Sequence, residues 1–155
     1  MTHITDNTPA PAFELATDNG GRVSLDGLKG KTVVLYFYPK ADTPGCTTEG
    51  LDFSALADRF AAANAVVIGV SRDAVKKLDR FKAKHDLKVV LGSDEDGVVT
   101  EAWGVWVPKK LYGREYMGIE RATFLIDGQG VVRHAWRNVK VKGHAEEVLA
   151  AAEAL

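Results

Sequence analysis

Two continuous apolar runs, the first of them rich in β-branched and aromatic residues, constrain the fold of this chain more strongly than any other feature of its sequence. The runs are Thr32–Tyr38 and Ala65–Val70, and neither contains a charged side chain. A strand that is buried on both faces has this continuous pattern, whereas a half-exposed strand alternates apolar with polar residues. We therefore predict a central strand that Pro39 ends, and a second buried strand after it.

Helical and strand patterns alternate along the rest of the chain. Residues from about Thr47 to Ala63 predict one helix, because four apolar residues recur there at helical spacing. Residues Gly104–Glu120 predict a long irregular loop. The other predicted elements are, in order, a hairpin of Ala12–Ala16 and Arg22–Leu25, a helix at Asp73–Leu87, a strand at Val89–Leu91, a helix at Val98–Trp103, a hairpin of Arg121–Asp127 and Val131–Arg137, and a helix at Gly143–Leu155. This order predicts an α/β fold in a single domain over residues 1–155.

The charge balance argues against nucleic acid and membrane lipid as partners. The chain has a formal net charge of −1, which gives no overall attraction to phosphate groups. No stretch contains the roughly 18 consecutive apolar residues that a membrane-spanning helix needs. Met1–Pro11 lacks the basic start and the apolar run of a signal peptide. We therefore expect a cytoplasmic protein, and we also expect it to be a monomer.

The single cysteine, Cys46, is the first candidate for chemistry. A lone cysteine excludes an intramolecular disulfide and a multi-cysteine zinc site, and most such residues are small buried hydrophobes. Cys46, however, follows the central strand and precedes a predicted helix. The first-turn amides of a helix lack intrahelical acceptors and favour a thiolate over a thiol. Its position therefore indicates a reactive sulfur.

The residues around Cys46 resemble a known active-site signature. Pro39, Thr43 and Cys46 have the spacing P-x-x-x-T-x-x-C within the string Tyr-Phe-Tyr-Pro-Lys-Ala-Asp-Thr-Pro-Gly-Cys-Thr-Thr-Glu. This segment resembles that of the peroxiredoxins, and in particular their bacterioferritin-comigratory-protein (PrxQ) branch. Further similar segments are Ser93–Asp96, Trp103–Trp106 and Arg121–Asp127. The resemblance thus extends over nearly the whole chain.

The resemblance implies a thioredoxin-like fold with a central mixed sheet flanked by helices, and an enzyme that reduces hydroperoxides. Cys46 would be the nucleophile that becomes a sulfenic acid. Thr43 would hydrogen-bond the sulfur or the peroxide, and Arg121 would stabilise the thiolate and the developing oxyanion. Pro39 would shield the sulfenate from water. Glu49 would orient Arg121.

One departure from the family pattern affects how the sulfur is recycled. Many members of the branch carry a resolving cysteine five residues after the first, and here that position is Leu51. The internal disulfide cannot form. The sulfenic acid must therefore be reduced by an outside thiol, which is glutathione with glutaredoxin, thioredoxin, or another small thiol.

Other interpretations of these residues stay open at this point. Thr43 alone is typical of a turn or a helix cap, Arg121 of a surface residue, and Glu49 of an acid that complements the helix dipole. The chain could instead be a thioredoxin-fold thiol-disulfide oxidoreductase, although it lacks a C-x-x-C pair. It could also be a thioredoxin-like binding module in which Cys46 is inert.

No cofactor or metal is predicted. The four histidines are scattered without ligand spacing, and Asp94–Gly97 resembles a calcium loop only in part, so a turn and helix cap is the better interpretation. Aromatic and methionine side chains border the predicted loop, and they either wall the peroxide entrance or pack in the core. They are Trp103, Trp106, Tyr112, Tyr116 and Met117.

Overall fold

A central eight-stranded mixed sheet organises the protein, for which a computed structural model describes residues 4–155. The sheet has the strand order β1-β10-β9-β4-β5-β6-β2-β3, and a separate hairpin pairs β7 with β8. The strands are β1 (Thr8–Pro9), β2 (Glu14–Thr17), β3 (Arg22–Ser24), β4 (Thr32–Phe37), β5 (Ala65–Ser71), β6 (Val90–Ser93), β7 (Trp106–Leu111), β8 (Arg114–Ile119), β9 (Ala122–Ile126) and β10 (Val131–Trp136). The helices are α1 (Pro44–Ala55), α2 (Ala57–Ala62), α3 (Val75–His85), α4 (Val98–Ala102) and α5 (His144–Glu153). The α/β mixed sheet predicted from the sequence is confirmed.

Strand β4 lies in the middle of the sheet, as its apolar run predicts. It is parallel to β5 and antiparallel to β9. Alternate side chains of a strand point to opposite faces, so Val34 and Tyr36 enter one core cluster and Val33 and Leu35 enter the other. Burial on both faces explains why this strand has no polar alternation.

Two predicted segments differ from the structure. The single helix expected at 47–63 begins earlier, at Pro44, and is interrupted at Leu56, whose backbone leaves the helical region (φ −102°, ψ 7°). The irregular loop expected at 104–120 is the β7–β8 hairpin. Its turn places both Tyr112 (φ 52°) and Gly113 (φ 77°) in the left-handed region, as a two-residue hairpin turn requires. Tyrosine is rare in that conformation, and both strands are largely exposed, so the usual hairpin signals are missing.

Smaller expectations are met. The N-terminal hairpin forms from β2 and β3, and the late hairpin forms from β9 and β10. Asp94 accepts hydrogen bonds from the Val99 and Thr100 amides at 3.0 Å and 2.7 Å, which confirms the turn and helix cap. Residues Met1–His3 of the polar N-terminal segment lie outside the described residues. Between residues 4 and 155, no helix is long and apolar enough to span a membrane.

Candidate active site

Cys46 lies in the first turn of α1, which follows the loop after the central strand β4. Pro44 begins the helix and needs no acceptor for an amide proton, since it has none. The first intrahelical hydrogen bond runs from the Thr47 amide to the Thr43 carbonyl at 2.9 Å. The amides of Gly45 and Cys46 therefore have no intrahelical acceptors, and they give the sulfur a positive surrounding. The side chain of Cys46 is 2% exposed.

The loop that precedes Cys46 is fixed to its neighbours. The Ala41 amide donates to Asp73 Oδ2 at 2.8 Å. Asp42 adopts a left-handed conformation (φ 64°), and its carboxylate binds Lys84 Nζ at 2.9 Å and His85 Nε2 at 2.8 Å. These contacts tie the loop to α3 and to the turn that precedes it. The sulfur therefore has a defined position before any substrate arrives.

Arg121 links the sulfur to a buried carboxylate. Its Nη2 donates to Cys46 Sγ at 3.4 Å, and its Nη1 donates to Glu49 Oε1 at 2.6 Å. The antiparallel register of β4 with β9 pairs Phe37 with Ala122, so Arg121 arrives beside the end of the central strand. Gly45 leaves room for it, since a Cβ there would lie 3.2 Å from Nη2. The structure thus brings together Cys46, Arg121 and Glu49, three of the five predicted residues.

Burial is the largest single influence on the pKa of both Glu49 and Arg121. Glu49 is 1% exposed, and burial raises the pKa of its carboxyl to about 7, although Arg121 opposes the shift. Burial lowers the pKa of the Arg121 guanidinium, but Glu49 and the Cys46 sulfur together raise it by more. Arg121 is therefore a permanent cation beside the sulfur. Glu49 Oε2 has no hydrogen-bond partner among residues 4–155.

Thr43 and Pro39 lie close to Cys46 in sequence but contact other groups. The Thr43 hydroxyl donates to the Lys40 carbonyl at 2.7 Å, so its proton is not directed at the sulfur. The hydroxyl oxygen keeps a lone pair for a peroxide O–H. Pro39 is half-buried and lines two cavities at the surface, of about 450 Å³ and 410 Å³. The larger cavity also contains Arg121, and we call the surface around the two cavities the mouth of the site.

The β7–β8 hairpin supplies much of that mouth. Two residues that line the mouth were not identified from the sequence. Lys109 lines both cavities, and Glu120 lines the larger one. Hydrogen bonds from Arg137 hold the pKa of Glu120 below its usual value, and the two side chains form a pair with both contacts at 3.0 Å. Lys109 was hidden because its segment was interpreted as a loop. Val107, Lys109 and Leu111 fall on one face of β7 and mix apolar with charged residues, so no strand alternation was available as a signal.

The aromatic and methionine side chains in and beside the hairpin divide between the two roles considered from the sequence, which are packing in the core and walling the peroxide entrance. Trp103 is completely buried in the core. Trp106, Tyr116 and Met117 line the 410 Å³ cavity. Tyr112 is 95% exposed at the turn of the hairpin and does neither.

Comparison with known proteins places this site in a family. Residues 7–135 match the model of the AhpC/TSA family. The chain is 52% identical to Peroxiredoxin Bcp of Bacillus subtilis over 140 residues, which are 90% of this chain and 89% of that protein. Among solved structures, a cysteine-to-serine mutant of Xylella fastidiosa PrxQ is 40% identical, covers 99% of this chain and 98% of its own, and superposes with a TM-score of 0.94.

A second solved structure was obtained in a study of function. It is the Xanthomonas campestris bacterioferritin comigratory protein in trapped intermediate and ligand complexes, from work on its alkyl peroxide reduction activity. It is 48% identical, covers 92% of this chain and 90% of its own, and has a TM-score of 0.87. The chain therefore belongs to the AhpC/TSA family and is a peroxiredoxin of the Bcp (PrxQ) branch, a thiol-dependent peroxidase with a single cysteine.

Proposed function

We propose that the Cys46 thiolate attacks one peroxide oxygen while Arg121 stabilises the charge on the other. A sulfur–oxygen bond forms, the O–O bond breaks, and the leaving alkoxide or hydroxide takes up a proton to give an alcohol or water. Cys46 becomes a sulfenic acid. The observation that carries this proposal is the contact of one guanidinium with both Cys46 Sγ and Glu49. Glu49 orients the guanidinium, which then needs no reorganisation during the reaction.

Ionisation of the sulfur accounts for only part of the rate. A free cysteine is a few per cent thiolate at neutral pH, so full ionisation raises the reactive fraction at most roughly thirtyfold. That corresponds to about 2 kcal/mol of barrier. We assign most of the catalysis to alignment of the O–O bond and stabilisation of the leaving oxygen. The groups are Arg121, the Gly45 and Cys46 amides, and Thr43, whose hydroxyl accepts from the peroxide. Pro39 shields the sulfenic acid from water.

We propose both hydrogen peroxide and organic hydroperoxides as substrates. The Xanthomonas relative was studied for alkyl peroxide reduction, and the mouth of this site combines Pro39, Trp106 and Met117 with charged groups. An external thiol, glutathione with glutaredoxin or thioredoxin, returns the sulfur to the thiol. This requirement favours the cytoplasm, where such thiols are abundant. The monomer and the single domain over 1–155 stay predictions.

One experiment separates this function from the two alternatives. The reduced protein is mixed with one equivalent of hydrogen peroxide, and the sulfenic acid is trapped with dimedone. The adduct is identified by mass spectrometry. We expect one adduct per chain, at Cys46. A thiol-disulfide oxidoreductase would instead react with an added disulfide faster than with peroxide. An inert module would react with neither.

Without a thiol, Cys46 should be over-oxidised. The sulfenic acid has no second cysteine with which to form a protective disulfide. We expect excess peroxide to add two oxygens to the chain, as sulfinic acid, and added thiol to suppress this product. Intact-mass spectrometry after timed quenching measures both. A chain that keeps a single added oxygen in excess peroxide would contradict the prediction.

A cysteine at position 51 should restore an internal disulfide only if α1 unwinds. Leu51 is 43% exposed and lies in the same helix as Cys46. Residues five apart in a helix rise by about 7.5 Å, beyond the roughly 7 Å that a disulfide spans between α-carbons. We predict that Leu51→Cys forms this disulfide after peroxide treatment, loses helical circular dichroism, and is reduced more efficiently by thioredoxin.

The matched control is Leu51→Ser, which changes the same exposed position without adding a thiol. It should keep its helical signal in peroxide. The second half of α1 is held in place, because Ser54 Oγ accepts from the Lys88 amide at 2.8 Å, so unwinding should be confined to the first turns. A stable sulfenic acid in Leu51→Cys, with no disulfide, would show that α1 is too rigid to allow the bond.

A further inference from the structure

Two cavities meet at the mouth of the active site, and they share two residues. Pro39 and Lys109 line both. The 450 Å³ cavity contains Arg121, whose guanidinium contacts the sulfur. The 410 Å³ cavity lies on the other side of the shared residues and contains Lys40, Trp106 and Tyr116. The cavity without Arg121 thus adjoins the cavity that contains it.

Lys109 is held at this junction by its packing. A Cβ at Gly118 would lie 3.0 Å from Lys109 Cδ, 3.4 Å from its Cε and 3.3 Å from the Tyr116 ring. The absence of a side chain at Gly118 lets the lysine stem lie across the hairpin beside Tyr116, its cross-strand partner. The half-buried stem therefore directs the ammonium group over a restricted region of the mouth.

The mouth carries two lysines, Lys40 and Lys109, that are not held in ion pairs by the described side chains around them. Within residues 4–155, neither Lys40 nor Lys109 forms an ion pair. The acidic groups that line the cavities are already engaged, since Glu120 pairs with Arg137 and Asp73 pairs with Lys77 at 3.2 Å. Arg72 is also engaged, stacked 3.4 Å above the Trp106 ring.

The electrostatics of Lys109 connect it to the sulfur. The pKa of Lys109 is lowered overall, by burial and then by repulsion from Arg121, and the Cys46 sulfur and Glu120 oppose this shift. Lys109 also lines the same cavity as Arg121, whose Nη2 contacts Cys46 Sγ at 3.4 Å. An anionic group bound by Lys109 would be brought close to Cys46.

The single-cysteine cycle needs two reactants in succession at one sulfur. Hydrogen peroxide is small and neutral and does not need a cationic binding surface, whereas a thiol that must attack Cys46 in line gains from an anchor. We propose that Lys109, with Lys40, binds a carboxylate of the small thiol that reduces the Cys46 sulfenic acid. This inference rests on the proposed function and identifies the class of its reductant.

The reductive half-reaction is then balanced as follows. The bound thiolate attacks the sulfenic sulfur, an S–S bond forms, the S–O bond breaks, and the hydroxide leaves as water after taking up a proton. A second thiolate attacks the outer sulfur of this mixed disulfide. It releases the Cys46 thiolate and a low-molecular-weight disulfide. Two thiols are oxidised and one sulfenic acid is reduced.

A double-mixing stopped-flow experiment tests the inference. One equivalent of hydrogen peroxide first generates the sulfenic acid, and either 3-mercaptopropionate or the neutral 2-mercaptoethanol is then added, with the protein mass confirming each step. The measured quantity is the ratio of the two reduction rate constants. Comparing this ratio between proteins cancels the intrinsic reactivities of the thiols. We expect Lys109→Met to lower the ratio about two- to fivefold, which is the usual contribution of a partly exposed ion pair.

Lys110→Met is the matched control, because Lys110 is exposed on the same strand and lines neither cavity. It should keep the parental ratio, and Lys40→Met should lower it. A ratio unchanged in Lys109→Met would overturn the inference. A parallel pair of hydroperoxides, one neutral and one carrying a carboxylate, is tested in the first mixing step. If Lys109→Met loses the preference for the charged reactant only in this peroxide step, then Lys109 binds the peroxide. That result would also overturn the inference. Absence of sulfenic acid in the parent would instead overturn the proposed function itself.

Discussion

Replacing Cys46 by serine should abolish peroxide consumption and leave the fold unchanged. A serine hydroxyl stays protonated at neutral pH and does not attack the O–O bond, so we expect the rate to fall below a few per cent of the parent's. The substitution is nearly isosteric at a site that is 2% exposed, and the Arg121–Glu49 pair does not depend on the sulfur. Peroxide loss is measured with a ferrous-ion dye assay, and the fold by circular dichroism and thermal unfolding.

Leu51→Ser serves as the control for this change as well, since it introduces the same residue into the same helix. It should consume peroxide at the parental rate when thiol is supplied. Turnover by Cys46→Ser at more than a few per cent of the parent's rate would remove the sulfur from the role assigned to it.

Arg121→Ala should slow peroxide attack by about a hundredfold to a thousandfold, the usual effect of removing one donor from a developing oxyanion. This exceeds the roughly thirtyfold that incomplete ionisation of the sulfur could explain. The two contributions are separated by measuring the second-order rate constant up to pH 10, which is above the pKa of about 8.5 of a free cysteine. A variant that reaches the parental rate at high pH would show that Arg121 acts on ionisation alone.

The same substitution should destabilise the protein in a pH-dependent way. Without Arg121, the Glu49 carboxylate is buried with no counter-charge, and breaking a buried pair typically costs about 3 kcal/mol. The folded pKa of Glu49 is already raised, to about 7, and removing the cation raises it further. Because a carboxyl with a raised folded pKa destabilises the fold once it must ionise, the loss should be small at pH 5 and grow as the pH rises towards and past that value.

A second substitution distinguishes stability from catalysis. Glu49→Gln in the Arg121→Ala background removes the buried charge, so the double variant should regain most of the free energy of unfolding at pH 8. It should not regain peroxidase activity, since the guanidinium is still missing. Urea unfolding at pH 5 and pH 8 and the peroxide assay at both pH values measure the two effects independently. Recovery of activity would show that Arg121 acts only by neutralising Glu49.

The parts of the structure that were predictable are those determined by burial and by local sequence. The continuous apolar run of Thr32–Tyr38 could only be a central strand, and the position of Cys46 between a strand and a helix follows from neighbouring residues. The place of Arg121 came from resemblance, because no local pattern shows that a residue 75 positions away contacts the sulfur. Its partner atoms depend on the register of β4 with β9, which a single sequence does not specify.

The failures have a common physical origin in weak local signals. The break at Leu56 leaves the apolar spacing of the helix intact, so periodicity could not reveal it. The β7–β8 hairpin turns at a tyrosine with positive φ and carries charged residues on both strands. Because the hairpin was not predicted, neither Lys109 nor the cationic side of the mouth could be identified from the sequence.

The isolated pairing of the β7–β8 hairpin has a consequence for how the site opens. Among the residues from 4 onward, its backbone hydrogen bonds join only its own two strands, whereas β4 and β9 are each bonded on both sides within the large sheet. Segments with few buried contacts and exposed hydrogen bonds open at a lower free energy than core strands. At its base the hairpin is clamped by Arg72 on Trp106 and by the buried Ile119, so fraying starts from the exposed turn at Tyr112. The wall of the mouth can thus loosen and re-form while the sulfur keeps its place, and access to a nearly inaccessible thiolate does not require the core to unfold.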